Sequence, residues 1–562
     1  RELSARQERP VDRFRASTRN GAAEGRADRE NFMLKAMLKA TVFATTLTLS
    51  AGVFYAPAFA EVVYNRGSAA EPQSVDPHKT STVYEANVLR DLFQGLVMQD
   101  EKANVIPGAA ESWTVSDDGT VYTFKLRKGG VWSDGSPVTA DDFVFAFHRL
   151  EDPATGAEYA SMLYPVKGAE DFNTNKGKAE DMGVKAIDAD TLQVTLKAPA
   201  PYFLEMLTHQ ATYPVNKASI DKLGADWIKP GKLVSNGPFT LAEWVPNDHL
   251  KLVKNPKFWD AANIKIDVVN FIPTEDRSSA IKRFEAGELD SYDDLPTEQL
   301  ADLKTKFGDQ IRVGPQLGTY YFAIKTDKAP WDNVELRNAI SMAIDRDFMA
   351  EKVWQNSMLP GYSMVPPGIE GYTPAMAKYA DTSQIDREDE AKKILEKLGY
   401  TPEHPLKMEI RYNTSENHKN TAVAVQEQLK PLGVEVSLLN TDTKTHYAFL
   451  QNKGNYDVAR AAWIADYKDP ENFLGISRKA SGINYSNYNN PKFEEAMDKA
   501  AAAGGNSQER MKDLADAERI LVDDAGIIPL LYYSYHDIVS SKLHGFTDNV
   551  MDVHPSRFIT KD

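Results

Sequence analysis

Apolar and polar residues alternate in two short stretches of this chain, Val121-Tyr-Thr-Phe-Lys-Leu126 and Leu192-Gln-Val-Thr-Leu196. A two-residue period puts alternate side chains on one face, so each stretch predicts a half-buried strand. Asp117-Asp118-Gly119 supplies a turn before the first. Thr139-x-x-Asp142 has the spacing of a capping box and predicts a helix from Asp142 to Leu150. Asp332-x-x-Glu335 predicts another, with Leu336, Ala339, Ile340, Ala343 and Ile344 on its buried face. Further on, Leu406 to Tyr412 reads as a strand, residues 418–432 as a helix ended by Gly433, and Val434 to Leu439 as a second strand. Strand, helix and strand in that order make a βαβ crossover between parallel strands, right-handed by the general rule. Tyr456 to Ile464 is a third strand candidate, and the fold class is α/β.

That third strand carries Arg460 and Trp463 and runs out at Asp466. A carboxylate at the end of a buried apolar strand costs several kcal/mol or more unless a cation meets it. A structural Arg or Lys could be that cation, and so could the ammonium group of a ligand; the residues alone leave both open. In open α/β sheets, ligands collect beyond the carboxyl ends of the strands, where helix N-termini also point. Asn413, His418 and Asp466 fall at such positions and are expected to converge.

Composition narrows the classes. The chain carries 65 Lys and Arg against 81 Asp and Glu, a net charge of −16. Residues 1–60 are net basic, so the remainder is more acidic still. Such a surface repels nucleic acid and anionic lipid. There is no cysteine, which excludes a disulfide scaffold and thiolate metal sites. Residues 1–32, polar and Arg-rich, read as upstream sequence or a disordered extension. From Met33, Lys35 and Lys39 precede an apolar run, Ala40 to Phe54, and Ala58-Phe59-Ala60 places small residues where a signal peptidase reads them. Residues 33–60 are therefore expected to be a cleavable Sec signal peptide, with a retained membrane anchor as the alternative.

Catalytic signatures are lacking. The chain has no Walker loop, no GxGxxG, no HExxH and no GxSxG elbow, and its ten histidines show no i,i+4 ligand pair. The acidic stretch Glu285 to Asp294 reads as a solvated loop or strand edge rather than a catalytic pair. No catalytic residue, metal or cofactor is expected.

Longer segments carry a resemblance. They include SVDPHKTSTVYEANVLRDLFQGL (74–96), the run 110–150 from AESWTVSDDGTVYTFKL to FVFAFHRL, SNGPFTLAEWV (235–245), NPKFWD (255–260), GTYYFAIKT (318–326), YNTSENHK (412–419) and YDVARAAWIADY (456–467). In these segments, from about residue 62 to 560, the chain resembles the periplasmic oligopeptide-binding proteins of extracellular solute-binding protein family 5, receptors of peptide ABC importers. The resemblance implies an α/β clamshell of two lobes with an additional lobe, of the class II or cluster C type. Lobe I would comprise 61–93, 218–317 and 535–562, the additional domain 94–217, and lobe III 318–534.

It also implies roles. Asp466 would pair with a peptide's N-terminal ammonium. The backbone at Ser81 and Val83, and at Ala462, Trp463 and Ile464, would pair with the peptide main chain as in β-augmentation. Tyr159, Tyr292, Asp293, Tyr321, Asn413, Lys444, Gln451 and Tyr533 would line the side-chain pockets. Arg460, His418 and Lys352 would meet the C-terminal carboxylate at different peptide lengths. Four positions depart from the family pattern. Ser81 and Ala323 stand where relatives have glutamate, and Lys444 and Gln451 where relatives have tryptophan and arginine. Fewer acids beside an added lysine should admit acidic peptide side chains, which keeps murein peptides in view. Dipeptides and opine-like compounds are further narrow options, and Asp466 argues against ligands without an amine. The implied partners are short peptides and an inner-membrane ABC permease with its ATPase subunits. The implied setting is the periplasm of a Gram-negative bacterium, for a protein expected to be a monomer and not an enzyme. An exported peptidase or a chaperone-like protein is the competing class.

Overall fold

The computed structural model describes residues 61–503 and 508–562, with the backbone alone at 443 and 444. The expected extension and leader, residues 1–60, lie outside the described residues, as does the side chain of Lys444.

In the first part of the chain, β1 (Val63–Ser68) leads to helix α1 (Val83–Leu92), then to β2 (Ala110–Val115) and β3 (Val121–Leu126). Helix α2 (Ala140–Glu151) follows, then β4 (Val184–Asp188) and β5 (Thr191–Thr195). Strands β2, β3, β5 and β4 pair in that order as a separate four-stranded antiparallel sheet. The alternation in β3 does what its period dictates, burying Tyr122, Phe124 and Leu126. Helix α2 starts two residues earlier than its pattern suggested. The Asp142 carboxylate still closes the box by accepting from the N–H of Thr139 at 2.8 Å.

Next come β6 (Phe239–Val245), β7 (His249–Lys254), β8 (Val268–Pro273), β9 (Ser291–Tyr292) and the long β10 (Ile311–Ile324). Helix α3 (Val334–Ala343) buries Leu336, Ala339, Ile340 and Ala343 as expected. Its cap is Asn333, not Asp332: Oδ1 of Asn333 accepts from the N–H groups of Glu335 and Leu336. Asp332 is one residue too far from the first turn to reach them.

The last part contains β11 (Met358–Pro360), β12 (Leu406–Asn413), α4 (Glu416–Leu429), β13 (Val434–Thr441), α5 (Thr443–Gln451), β14 (Val458–Ile464), α6 (Gln508–Asp523) and β15 (Ile528–Val539). The expected βαβ unit is present: β12 and β13 run parallel from Leu406 opposite Val434 to Asn413 opposite Thr441. The third strand, β14, lies parallel on the other side of β12.

Among the described residues one eleven-stranded sheet runs β13-β12-β14-β10-β15-β9-β1-β8-β7-β6, with β11 also on β15. Its middle is the antiparallel pair β10 and β15. Ile311 to Pro315 pair with Ser534 to Ile538, and Thr319 to Phe322 pair with Ile528 to Tyr532. The register slips between the two blocks, a bulge that bends the pair where the two halves of the sheet meet. Separate apolar clusters pack each half. One holds Tyr64, Phe124, Trp132, Phe143 and Phe147, and two others flank β12 and β14. Each large apolar side chain buried this way contributes roughly 1.5–3 kcal/mol.

Candidate functional site

The bend in β10 and β15 borders a cleft of about 500 Å³ lined from both halves of the sheet and from the segment between β3 and β6. Its walls include Ser81 and Val83 at the start of α1, Tyr159, Asp293, Ile464 and Asp466 at the end of β14, and Tyr533 on β15. Seven residues singled out in the sequence thus meet in one cleft.

Asp466 lies just past β14, in a loop held from behind. Asp469 makes a bidentate ion pair with Arg510 of α6, at 2.7 and 2.9 Å, and both side chains are buried. Oδ1 of Asn472 accepts from the N–H of Asp466 at 3.1 Å and from the indole N–H of Trp463 at 2.9 Å. Across the cleft, the hydroxyl of Tyr159 donates to Oδ1 of Asp466 at 3.2 Å. Among the described residues no Lys, Arg or His forms an ion pair with Asp466. Burial raises its carboxyl to about 6, and the bonds from Tyr159 and Asn472 offset that only in part. Among the described residues the structural cation that the sequence left open is not in place; the acid is held by neutral groups.

Arg460, six residues back, shows the complementary condition. It is 6% exposed. Its Nη1 donates to Oδ1 of Asn413 at 3.2 Å and to the hydroxyl of Tyr447 at 2.7 Å, and Nη2 donates to the hydroxyl of Tyr533 at 3.0 Å. The guanidinium sits over the ring of Tyr320, 4.8 Å from its centroid, and Nε has no partner. This is a buried cation in a cage of neutral acceptors. His418 packs against Tyr320 and Trp354, and burial lowers it to about 3, with Arg460 adding to the effect. The imidazole is therefore neutral in the free protein.

The main-chain positions differ from each other. Strand β14 pairs with β10 along its length, from Val458 opposite Ile324 to Ile464 opposite Gly318. Its pairing with β12 ends at Ala459 opposite Arg411. Beyond that point the second edge of β14 is not covered by β12. On the other wall, Ser81 and Val83 are not in a strand. Thr82 caps α1, Val83 is its first residue, and the Glu85 carboxylate accepts from the N–H groups of Ser81 and Thr82. A first-turn N–H such as that of Val83 has no intrahelical partner.

Several expected pocket residues stand elsewhere. Tyr292 is buried in a satellite cluster beside β9 and donates its hydroxyl to the carbonyl of Thr274 at 3.0 Å. Tyr321 is enclosed with Tyr456 and Tyr485 in the core on one face of β14. Lys352 is exposed and paired with Glu351 at 2.5 Å. Gln451 ends α5 on the surface. Asn413 accepts from Arg460 and is not part of the cleft wall, and Ala462 and Trp463 stand beside that wall rather than in it. Strand alternation accounts for part of this: Tyr320 turns toward Arg460, so its neighbour Tyr321 must turn away.

The cleft also contains groups that the sequence did not single out, among them Arg90, His209, Arg277, Asp294, Asn417 and Asp552. One signal for them exists. Val83, Asn87 and Arg90 are spaced i, i+4 and i+7, a single face of α1. His209 lies against Tyr159 with ring centroids 4.5 Å apart, and burial lowers it to about 3, so the wall beside Asp466 carries no added charge there.

Comparison with known proteins gives a consistent outcome. The family model described as bacterial extracellular solute-binding proteins, family 5 middle, matches residues 104–485. The periplasmic oligopeptide-binding protein OppA of Salmonella typhimurium is 39% identical over 519 residues, 92% of this chain and 94% of that protein. The periplasmic murein peptide-binding protein MppA of Escherichia coli is 38% identical, covering 87% of this chain and 91% of that one. The solved unliganded open form of the murein tripeptide-binding protein MppA superposes with a TM-score of 0.79 at 37% identity, over 90% of this chain and 98% of that one.

Proposed function

The chain belongs to the bacterial extracellular solute-binding proteins of family 5, and from that premise we propose that it encloses short peptides in the cleft and delivers them to an ABC permease. One observation carries the reading. Asp466 is a carboxylate removed from water on a cleft wall, held by Tyr159 and Asn472, with no cation among the described residues to neutralise it. A peptide's α-ammonium supplies the missing charge and more donors than Tyr159 alone. At the other end, the caged guanidinium of Arg460 meets the C-terminal carboxylate, exchanging neutral acceptors for a charged one. His418 and Lys352 meet that carboxylate at other peptide lengths.

Main-chain pairing follows from the open edge of β14 at Ala462, Trp463 and Ile464, and from Ser81 and Val83 at the start of α1. Bonds to the peptide backbone are the same for every sequence, which suits a receptor of broad range. Tyr159, Asp293 and Tyr533 shape the side-chain pockets, where water adapts to what is bound. Tyr292, Tyr321 and Asn413 act from behind the wall. Arg460 and Asp466 are six residues apart along an extended strand, so about 20 Å at most separates them. An extended peptide reaching both has no more than about six residues.

Closure involves lobe I (61–93, 218–317 and 535–562), the domain 94–217 and lobe III (318–534), bending at β10 and β15. The protein acts in the periplasm of a Gram-negative bacterium after removal of residues 33–60, as a monomer and without catalysis. Its relatives are periplasmic binding proteins by name, and among the described residues no helix is long and apolar enough to cross a membrane. Murein peptides are a second reading, favoured by the 38% identity to a murein peptide-binding protein and by Lys444 in place of a neutral family residue.

Mass spectrometry of what the protein releases on denaturation, after purification from cells, tests the proposal. Peptides of two to six residues are expected, and muropeptides among them would select the second reading. A ligand without a primary amine would overturn both.

A further inference from the structure

Two acids and a histidine, without helical spacing between them, come together where β15 passes the bend. Asp537 is on β15 opposite Arg312 of β10, and Asp552 and His554 are on the segment that follows. One ligand atom from each of the three lies within 4.8 Å of the other two. Nε2 of His554 is 3.0 Å from Oδ1 of Asp552 and 4.0 Å from Oδ2 of Asp537. Asp537 is 1% exposed, yet neither of its carboxylate oxygens meets a hydrogen-bond donor. A buried carboxylate with no donor, beside a second carboxylate, calls for a cation between them.

Two arginines flank the group: Arg312, opposite Asp537, donates to the carbonyl of Phe546 and to Asp548, and Arg66 is the other. Arg66 is close, but its Nη1 is engaged by the carbonyl of His554 at 2.8 Å. Asp293 adds to the negative side, with its own Oδ1 buried and unpartnered. The ring of His554 stacks on Phe546, centroids 3.7 Å apart, and its Nδ1 is buried without a partner. Asp552 forms part of the cleft wall, which gives an ion a way in. Two carboxylates and an imidazole suit a transition-metal ion such as Zn²⁺ or Mn²⁺; Ca²⁺ requires six to eight oxygens.

We propose that Asp537, Asp552 and His554 bind one divalent transition-metal ion of the Zn²⁺ class, which ties β15 to the C-terminal segment at the bend between the two halves of the sheet. The site is independent of the peptide reading and stands or falls without it.

The test uses protein stripped with a chelator, equilibrated with ZnCl₂ and desalted. Bound zinc is counted by elemental mass spectrometry, and melting is followed in parallel. One zinc per wild-type chain is expected, with a higher Tm than the metal-free protein. Asp537→Asn and His554→Gln should each weaken zinc retention by roughly tenfold or more. Metal-free Asp537→Asn should melt above metal-free wild type, since one of two facing carboxylates is gone, and that also shows it is folded. A wild type that retains no zinc would overturn the proposal and leave a proton shared by Asp537 and Asp552. Equal zinc in wild type and both variants would overturn it as well, placing the ion on surface groups.

Discussion

At the scale of single residues, Asp466 does the deciding. Its carboxyl stands at about 6 because burial outweighs the bonds from Tyr159 and Asn472. A raised folded-state value favours the free protein below the unfolded pKa, and that contribution is lost as pH rises through 6. Binding has the opposite sign: below pH 6 a ligand ammonium must first displace a proton. Calorimetric affinity for peptides should hold steady between about pH 6.5 and 7.5 and fall below 6, by up to roughly tenfold per pH unit. A peptide amine with an ordinary pKa near 7.7–8.0 sets a second fall above that range. Asp466→Asn should lower affinity by ~2 kcal/mol or more and flatten the acid limb, because the ammonium then loses its charged partner. The chemistry of Asp466 was legible in the sequence as an acid ending an apolar strand. That its nearest donor would be Tyr159, 307 positions away, was not.

Among the elements, the βαβ unit from β12 to β13 was read correctly because its apolar pattern and Gly433 are local signals. The errors were local too. Asn333 caps α3 in place of Asp332, and Ser81 to Val83, expected to pair with a peptide main chain, form a capped helix start. Both depend on which residue's backbone is the first to turn helical, and side-chain type alone does not fix that. Tyr292 and Tyr321 were placed in the pockets, yet the phase of their strands turns them into cores. The element that holds Asp466 is the loop pinned by Arg510. Replacing Arg510 with Met leaves Asp469 buried and unpaired, which should destabilise the protein by about 3–5 kcal/mol in denaturant unfolding. Helix α2 offers a pH-dependent case. Glu151 is fully buried, neither carboxylate oxygen has a donor, and desolvation raises it to about 8. Its contribution is present while it is protonated and lost as pH rises through 8. Melting curves should show wild type losing stability relative to Glu151→Gln as pH rises from about 4.5 to about 8, with the difference levelling off above pH 8.

For the whole molecule, the bend in β10 and β15 joins two halves of one sheet, and residues between β3 and β6 line part of the cleft. Tyr202 stacks on Tyr467 with centroids 5.6 Å apart, Met162 and Met206 pack beside Tyr467, and Lys468 donates to Asn104 at 2.7 Å. None of these side chains is part of the cleft wall. Tyr202→Ala should speed ligand dissociation, lowering affinity by about 0.5–1.5 kcal/mol as measured by stopped-flow. Long-range assembly of this kind leaves no local trace, and only the resemblance of whole segments brought it into view. The metal-ligand set escaped for the same reason, since Asp537 lies 15 positions before Asp552 and no motif spans them.

The central claim is that a free ammonium on the ligand meets Asp466. Calorimetric titration of tetra-alanine and its N-acetylated form into the unliganded protein at pH 7 tests it most directly. The free peptide should bind, and acetylation should weaken it by ~2 kcal/mol or more, about thirtyfold. Equal affinity for the two forms would contradict the claim.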